Sequence, residues 1–334
     1  MNCFIVMQGE TYQEEKKMGL LWTPQRDKSG MVPHSYKRMR DIKKGDRIFH
    51  YVKGYIVALS VAKENCRLGN KPIAVNMANG KEEKGYYVSV EYHELEQPLS
   101  IHEHFDELAS LLPVKYAAFQ EDGSGNPGYL YPCNEELAIK MLEGISMLNV
   151  YVPEEEQLEL AIEVIRTTEH NPLVPLIAET ILEAKTKMQR GEQQFRKRLT
   201  PLWNKSCPLC GMDLEPVLKA SYAKPWKDSS DPERLDPYNG VLLCSNHDSM
   251  YSYGLITINA NGKLQISATI PEEKYSDYGL SARLRIPVYP ENSGYFKWHK
   301  KNIFIDKRSR IATLHEEKPV MEEINSEQEA AKKN

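Results

Sequence analysis

The chain has 334 residues, enough to bury two cores, since single domains commonly run to roughly 100–200 residues. Its 41% hydrophobic and 27% charged content is that of a folded protein in water, and the absence of any apolar run near the ~20 residues that cross a bilayer excludes a helical membrane protein. The net charge of -4 gives nucleic acid no support by itself, but residues 195–312 hold 18 Lys and Arg against 12 Asp and Glu, so the basic charge is concentrated there and the rest of the chain is acidic.

In chain order, "MNCFIVMQGE" has neither a basic leader nor a small-residue cleavage site, so it reads as a first strand, and the cytoplasm is the expected location. Residues 2–7, 46–62 and 86–96 read as strands. In "GDRIFHYVKGYIVALSVAK" a Gly-Asp turn launches a β-rich run and Lys53-Gly54 reverses it. Between them "GLLWTPQRDKSGMVPHSYKRM" reads as irregular and "EDGSGNPGYLYP" as a loop. Asn134 then caps a helix in "NEELAIKMLEGI". Residues 1–147 therefore form a small mixed barrel closed by a helix. Residues 148–194 are a helical linker, from the three- and four-residue apolar spacing of "NPLVPLIAETILEAKTKMQRGEQQFRKRL"; their role is structural, or else a homodimer contact. Residues 195–312 form a second domain, and 313–334, without aromatics or periodicity, a charged tail expected to be disordered.

Of six cysteines, Cys3, Cys66 and Cys133 read as small buried hydrophobes. Cys207, Cys210, Cys244 and His247 differ. "CPLC" and "CSNH" supply two ligand pairs on tight knuckles, separated by 33 intervening residues, and such pairs facing each other make a closed tetrahedral zinc site. With four protein ligands no coordination position stays open, so this metal would staple the fold.

Between and after the knuckles, "LKASYAKPW", "RLDPYNG" and "VLLCSNHDSMYSYGLITINANGKLQIS" resemble the HNH nuclease family, over a stretch from about Phe195 to Phe304. The resemblance implies a ββα-metal module with Mg or Mn. A first histidine deprotonates water, an asparagine orients that base or constrains the loop, and a last His or Asp binds the divalent ion. Asn239 and Asp248 match the second and third positions, whereas Tyr222 stands at the first. A phenol, with a reference pKa near 10 against about 6.5 for imidazole, accepts protons poorly at neutral pH. Three readings stay open: a DNA-binding shell that has lost catalysis, slow cleavage with Tyr222 positioning a metal-activated water, or an active nuclease disabled by a single His-to-Tyr change. Lys224, Lys227 and Arg234, in the charged loop beside this site, are candidate DNA-phosphate contacts, and Trp226 a packing residue.

"CFIVMQ", "LLWTPQ", "IKKGDRIFHYVKGYIVALSVAK" and "GSGNPGYLYPCNEELAIKML" resemble the EVE branch of PUA-like domains, which grip a modified base flipped out of a duplex. Stacking and edge recognition of such a base assign Trp22, Phe49, Tyr51 and Tyr129, with His34, Ser35 and Asn126, as candidate contacts. The expected fold class is α+β: a PUA/EVE-like mixed β-barrel, a helical linker and a C-terminal ββα-metal HNH module with structural zinc. The expected function is a modification-dependent restriction endonuclease acting on double-stranded DNA that carries a modified cytosine. The alternative is a catalytically inactive DNA-binding or nucleotide-sensing protein.

Overall fold

The structure, a computed structural model, describes residues 1–27, 29–70, 84–149 and 171–306. The tail expected at 313–334 and much of the expected linker lie outside the described residues. The chain forms two compact units, Met1–Gly191 and Glu192–Asn334. No helix among the described residues is long and apolar enough to cross a membrane.

The first unit is built on strands β1 (Cys3–Met7), β2 (Leu20–Pro24), β3 (Arg47–Val52), β4 (Tyr55–Ala62), β5 (Arg67–Asn70), β6 (Lys84–Ser100) and β7 (Leu130–Cys133). They hydrogen-bond in the order β2-β6-β4-β3-β1-β7, with β5 also on β6. All pairs are antiparallel except β1 with β3. Lys53 and Gly54 both take positive φ (46° and 97°), the geometry that suits a two-residue hairpin loop to the twist of its strands. The 17-residue β6 pairs with β2 and β5 along its first part and with β4 along the rest, and the ladder slips between Ile56 and Ala58. Such a bulge bends a strand, and the sheet curls into a half-barrel where the sequence suggests a full barrel.

Helices α1 (Tyr12–Met18), α2 (His34–Lys37) and α3 (Phe105–Ala109) are short, and α4 (Glu135–Asn149) fills the concave side. Asn134 caps α4, its Oδ1 accepting the Leu137 amide at 2.9 Å. Apolar spacing then directs Leu137, Met141, Leu142 and Ile145 onto Ile5, Phe49, Ile56 and Leu99. Two segments that read as irregular are strands, β2 and β7. Neither alternates clearly, and each is fixed by pairing with a partner far along the chain, β6 or β1. Cys3 and Cys133 are buried neighbours on β1 and β7, whereas Cys66 is half-buried.

Helix α5 (Leu173–Leu202) contributes Leu173, Leu176 and Ile177 to the first core and Phe195 and Leu199 to that of the second unit. There β8 (Leu218–Tyr222) and β9 (Gly240–Cys244) form an antiparallel hairpin whose long loop holds the one-turn α6 (Asp231–Arg234). Gly240 is required by close approach: a Cβ would stand 2.4 Å from the Ser221 carbonyl and 2.7 Å from the Phe195 ring. The wholly buried β9 leads directly into α7 (Ser245–Ser252), which completes a ββα unit. The hairpin β10–β11 (Ile256–Ile258, Leu264–Ile266) and α8 (Asn292–Asn302) cover it, with Phe296 fully buried.

Candidate active site and metal cluster

Cys207 and Cys210 lie on a turn closed by Cys207 N to Met212 O and Gly211 N to Cys207 O, both 2.8 Å, with Gly211 in the left-handed region (φ 77°). Cys244 ends β9 and His247 falls in the first turn of α7, so the strand-to-helix junction presents both on one side. Among the described residues the four ligand atoms lie within 4.8 Å of one another. Sγ of Cys210 and Cys244 are 3.8 Å apart, and His247 Nδ1 is 3.2 and 3.5 Å from Sγ of Cys244 and Cys207. A tetrahedral ion with bonds of about 2.3 Å to sulfur and about 2.0 Å to nitrogen requires edges of roughly 3.8 and 3.5 Å. The cluster therefore fits a metal ion, and its soft donor set suits one. It is assembled by the same hairpin and helix that frame the second site.

That site begins with the loop between β8 and β9. Asn239 is fully buried, its Oδ1 accepting the Lys224 amide at 2.9 Å while Nδ2 donates toward the carbonyls of Lys224 (3.1 Å) and Glu233 (3.0 Å) and toward Ser229 Oγ (3.2 Å). It ties the two arms of the loop together, and no polar atom is left over for a ligand. Two of the loop's cations, Lys224 and Arg234, are also spent within it. Lys224 Nζ meets both oxygens of Glu233 at 2.8 and 2.7 Å. Arg234 is 7% exposed, donates to the Trp226 carbonyl and to Asp231, and lies 4.4 Å over the Trp226 ring. Lys227 is half-buried on the turn after Pro225. From the far side α8 clamps the loop, Asn292 donating to the Tyr238 carbonyl at 2.6 Å and Tyr295 to Asp236 at 2.8 Å.

Beside the hairpin is a cavity of about 370 Å³ lined by Glu192, Phe195, Arg196, Lys219, Tyr222 and Asp248. Asp248 enters it from the first turn of α7, where a helix N-terminus favours negative charge, and accepts a 2.6 Å hydrogen bond from the buried Ser221 hydroxyl. The structure thus brings Asp248 and Tyr222 to one cavity, with Asn239 behind the wall. Tyr222 stacks on Phe195 (3.9 Å, 10°), and its hydroxyl donates to the Arg234 carbonyl at 2.8 Å. Burial, with Glu192 nearby, pushes the phenol well above its ordinary value, against an opposing pull from Arg234. It is a donor in this site. Ser221, Glu192 and Lys219 escape sequence reading; Ser221 and Lys219 share the strand of the motif tyrosine, and Glu192 comes from α5.

In the first unit the seven candidate base contacts do not gather at one place, although the Trp22 amide donates to the Tyr129 hydroxyl at 3.1 Å and Ser35, on α2, is half-buried. Phe49 (0% exposed) and Tyr51 pack in the core under α4, whereas Tyr129 belongs to the core on the other face of the sheet. Trp22, expected in a polar loop, is buried on β2, pressed over Gly85 of β6. Asn126 donates to the carbonyls of Ala117 and Phe119 at 2.9 and 3.2 Å, bracing a loop, and His34 is exposed at the start of α2.

What the fold does assemble is a buried polar chain. Tyr129 donates to Glu15 at 2.6 Å, Gln8 donates to the same oxygen at 2.5 Å, His50 Nδ1 donates to Gln8 Oε1 at 2.6 Å, and Ser60 donates to His50 Nε2 at 2.7 Å. Burial raises Glu15 to about 7 and lowers His50 to about 3, so both are neutral through much of the acid range. Strand alternation in "IFHYV" carries the signal for His50: with Phe49 and Tyr51 facing one core, it must face the other.

Residues 207–259 match the family model described as HNH endonuclease, which supports a nuclease activity for this unit. No curated protein matches the chain. Among solved structures, the chain is similar to Rpa0253 from Rhodopseudomonas palustris (14% identity, 47% of this chain and 99% of that one, TM-score 0.29). It is similar also to Atu2648 from Agrobacterium tumefaciens (17% identity, 46% and 97%, TM-score 0.28). Scores at this level define neither fold nor function.

Proposed function

We propose that this chain is a modification-dependent DNA endonuclease whose C-terminal unit, stapled by zinc at Cys207, Cys210, Cys244 and His247, hydrolyses phosphodiester bonds at the cavity that Asp248 and Tyr222 share. The observation that carries the reading is the Ser221–Asp248 pair, aimed into a cavity beside the HNH-matched hairpin. Asp248 would hold Mg or Mn, oxygen-seeking ions that polarise a phosphate and acidify bound water. Ser221 fixes the carboxylate's orientation. Asn239 holds the loop, Lys224 and Arg234 brace it internally, and Lys219 and Lys227 meet DNA phosphates. Tyr222, whose hydroxyl is committed to the Arg234 carbonyl, cannot serve as general base, so cleavage by this sequence is weak or absent while DNA binding persists.

The N-terminal unit supplies the target, a modified cytosine in double-stranded DNA. The support for this half is the resemblance of its motifs to EVE domains. Cutting both strands would call for two copies of the chain. The committed phenol also favours a second reading, a DNA-binding protein that keeps the fold without catalysis.

Cleavage of matched plasmids, unmodified and carrying 5-methylcytosine or 5-hydroxymethylcytosine, by this chain and by Tyr222→His with Mg or Mn separates the two. The nuclease reading expects a gain of about 100-fold or more in the histidine variant, on modified DNA. If neither form cuts any substrate while both bind DNA, the binding reading stands.

A further inference from the structure

The outer surface of the first unit presents a second cluster that the nuclease site does not use. Tyr116 is 49% exposed, and its backbone is held at φ 62°, a region a bulky side chain avoids and in which strain gathers at functional surfaces. The loop that imposes this is well anchored. Ala118 and Phe119 are buried, and Asn126 binds it through its own amide to Ala118 and through its side chain to Ala117 and Phe119. Against the exposed ring stand two groups from α2 and the helical turn after it: the Arg38 guanidinium, 4.8 Å from the ring centre, and the His34 imidazole at 5.4 Å.

The surroundings are basic. Residues 34–44, "HSYKRMRDIKK", include Lys37, Arg38, Arg40, Lys43 and Lys44 against the single acid Asp41, within a chain whose net charge is -4. Lys37, Arg40 and Lys115 are exposed. An open aromatic ring set among cations is the arrangement that stacks an unpaired base and neutralises the phosphates beside it. An apolar protein partner would gain little from so much positive charge, whereas a nucleic-acid strand is complementary to it.

We infer that the Tyr116–Arg38 surface is a DNA contact of the first unit, in which an unstacked base lies on Tyr116 while Arg38, Lys37 and Lys115 meet the flanking phosphates. It rests on the reading of the chain as a protein that acts on DNA, and it places the contact outside the buried aromatics that the sequence points to. Base opening exposes an unstacked neighbour, which gives the tyrosine its target.

The test measures binding of the full chain with its zinc retained, in buffer without Mg or Mn so that no cutting intervenes, to a labelled duplex with one mismatched cytosine. Tyr116→Gly removes the ring while relieving the positive φ, so its thermal midpoint should stay within about 4 °C of the parent's, and binding should weaken about tenfold. Tyr116→Phe should bind as the parent does. Lys37→Gln combined with Lys115→Gln should reduce the slope of log affinity against log salt by about one to two. If Tyr116→Gly and the lysine pair both bind as tightly and with the same salt slope as a parent that does bind, this surface is not the contact and the nuclease reading is untouched. If the parent binds no DNA at all, both readings fall together.

Discussion

The two units keep polar groups inside in opposite ways. The second fixes its interior with short-range devices: two candidate ligand pairs, each three positions apart within its knuckle, and one asparagine that closes a loop. The first draws its polar chain from distant segments, with Gln8 and His50 separated by 42 positions and Tyr129 and Glu15 by 114. A local device survives changes elsewhere in the fold but fails all at once when its centre is removed. A distributed network loses one hydrogen bond at a time, and its sensitivity lies in protonation.

The contrast breaks most visibly by removing the metal proposed for the Cys207, Cys210, Cys244 and His247 cluster. A structural zinc contributes on the order of 10 kcal/mol, as much as the whole stability of an ordinary domain. Chelation or Cys244→Ser should therefore unfold the second unit and leave the first protected, read as protease cleavage confined to residues 192–306. An unchanged melting profile after metal removal would show that the cluster does not staple the fold.

Next in size is Asn239→Ala. It strands the buried Lys224 amide and takes one donor from the carbonyls of Lys224 and Glu233, which keep the Ser229 hydroxyl and the Asp236 amide, at a cost of about 2 kcal/mol in denaturant unfolding. A loss under about 1 kcal/mol would mean the loop is held chiefly by the α8 clamp.

In the first unit the expected signature is pH dependence. Folded Glu15, at about 7 against an ordinary 4.5, keeps a proton that the unfolded chain releases, so its contribution falls as pH rises through that window. Folded His50, at about 3 against 6.5, refuses a proton that the unfolded chain takes up, so its contribution falls as pH drops below 6.5. Between 4.5 and 6.5 the two slopes oppose each other. Glu15→Gln should leave stability climbing with pH across that window, and His50→Gln should leave it falling, each by up to about 1.4 kcal/mol per pH unit. Parallel pH profiles for the two variants would show that the groups are not buried as a neutral pair.

The smallest effect is expected from Lys224→Gln. The pair with Glu233 is part-exposed and contributes about 1 kcal/mol or less. Burial pushes Glu233 up, but its hydrogen bonds from Lys224 and Ser230 outweigh this and hold it below its ordinary value. The variant should therefore shift Glu233 upward in an NMR titration with little change in melting. A large loss of stability instead would make this ion pair, and not Asn239, the brace of the loop.

Read alone, the sequence determined what short spacing can determine. Cys207 with Cys210, Cys244 with His247, the Asn134 cap and the Lys53-Gly54 reversal each need a few consecutive residues whose backbone geometry is nearly fixed by their own chemistry. The tertiary structure alone decided the rest. The burial of Trp22 over Gly85, the commitment of the Tyr222 hydroxyl to the Arg234 carbonyl, the meeting of Arg38 with Tyr116 and the protonation of Glu15 follow from strand register and loop packing. Register depends on the pairing of segments tens of residues apart, and a side chain's partners, and with them its charge state, are set when that pairing closes.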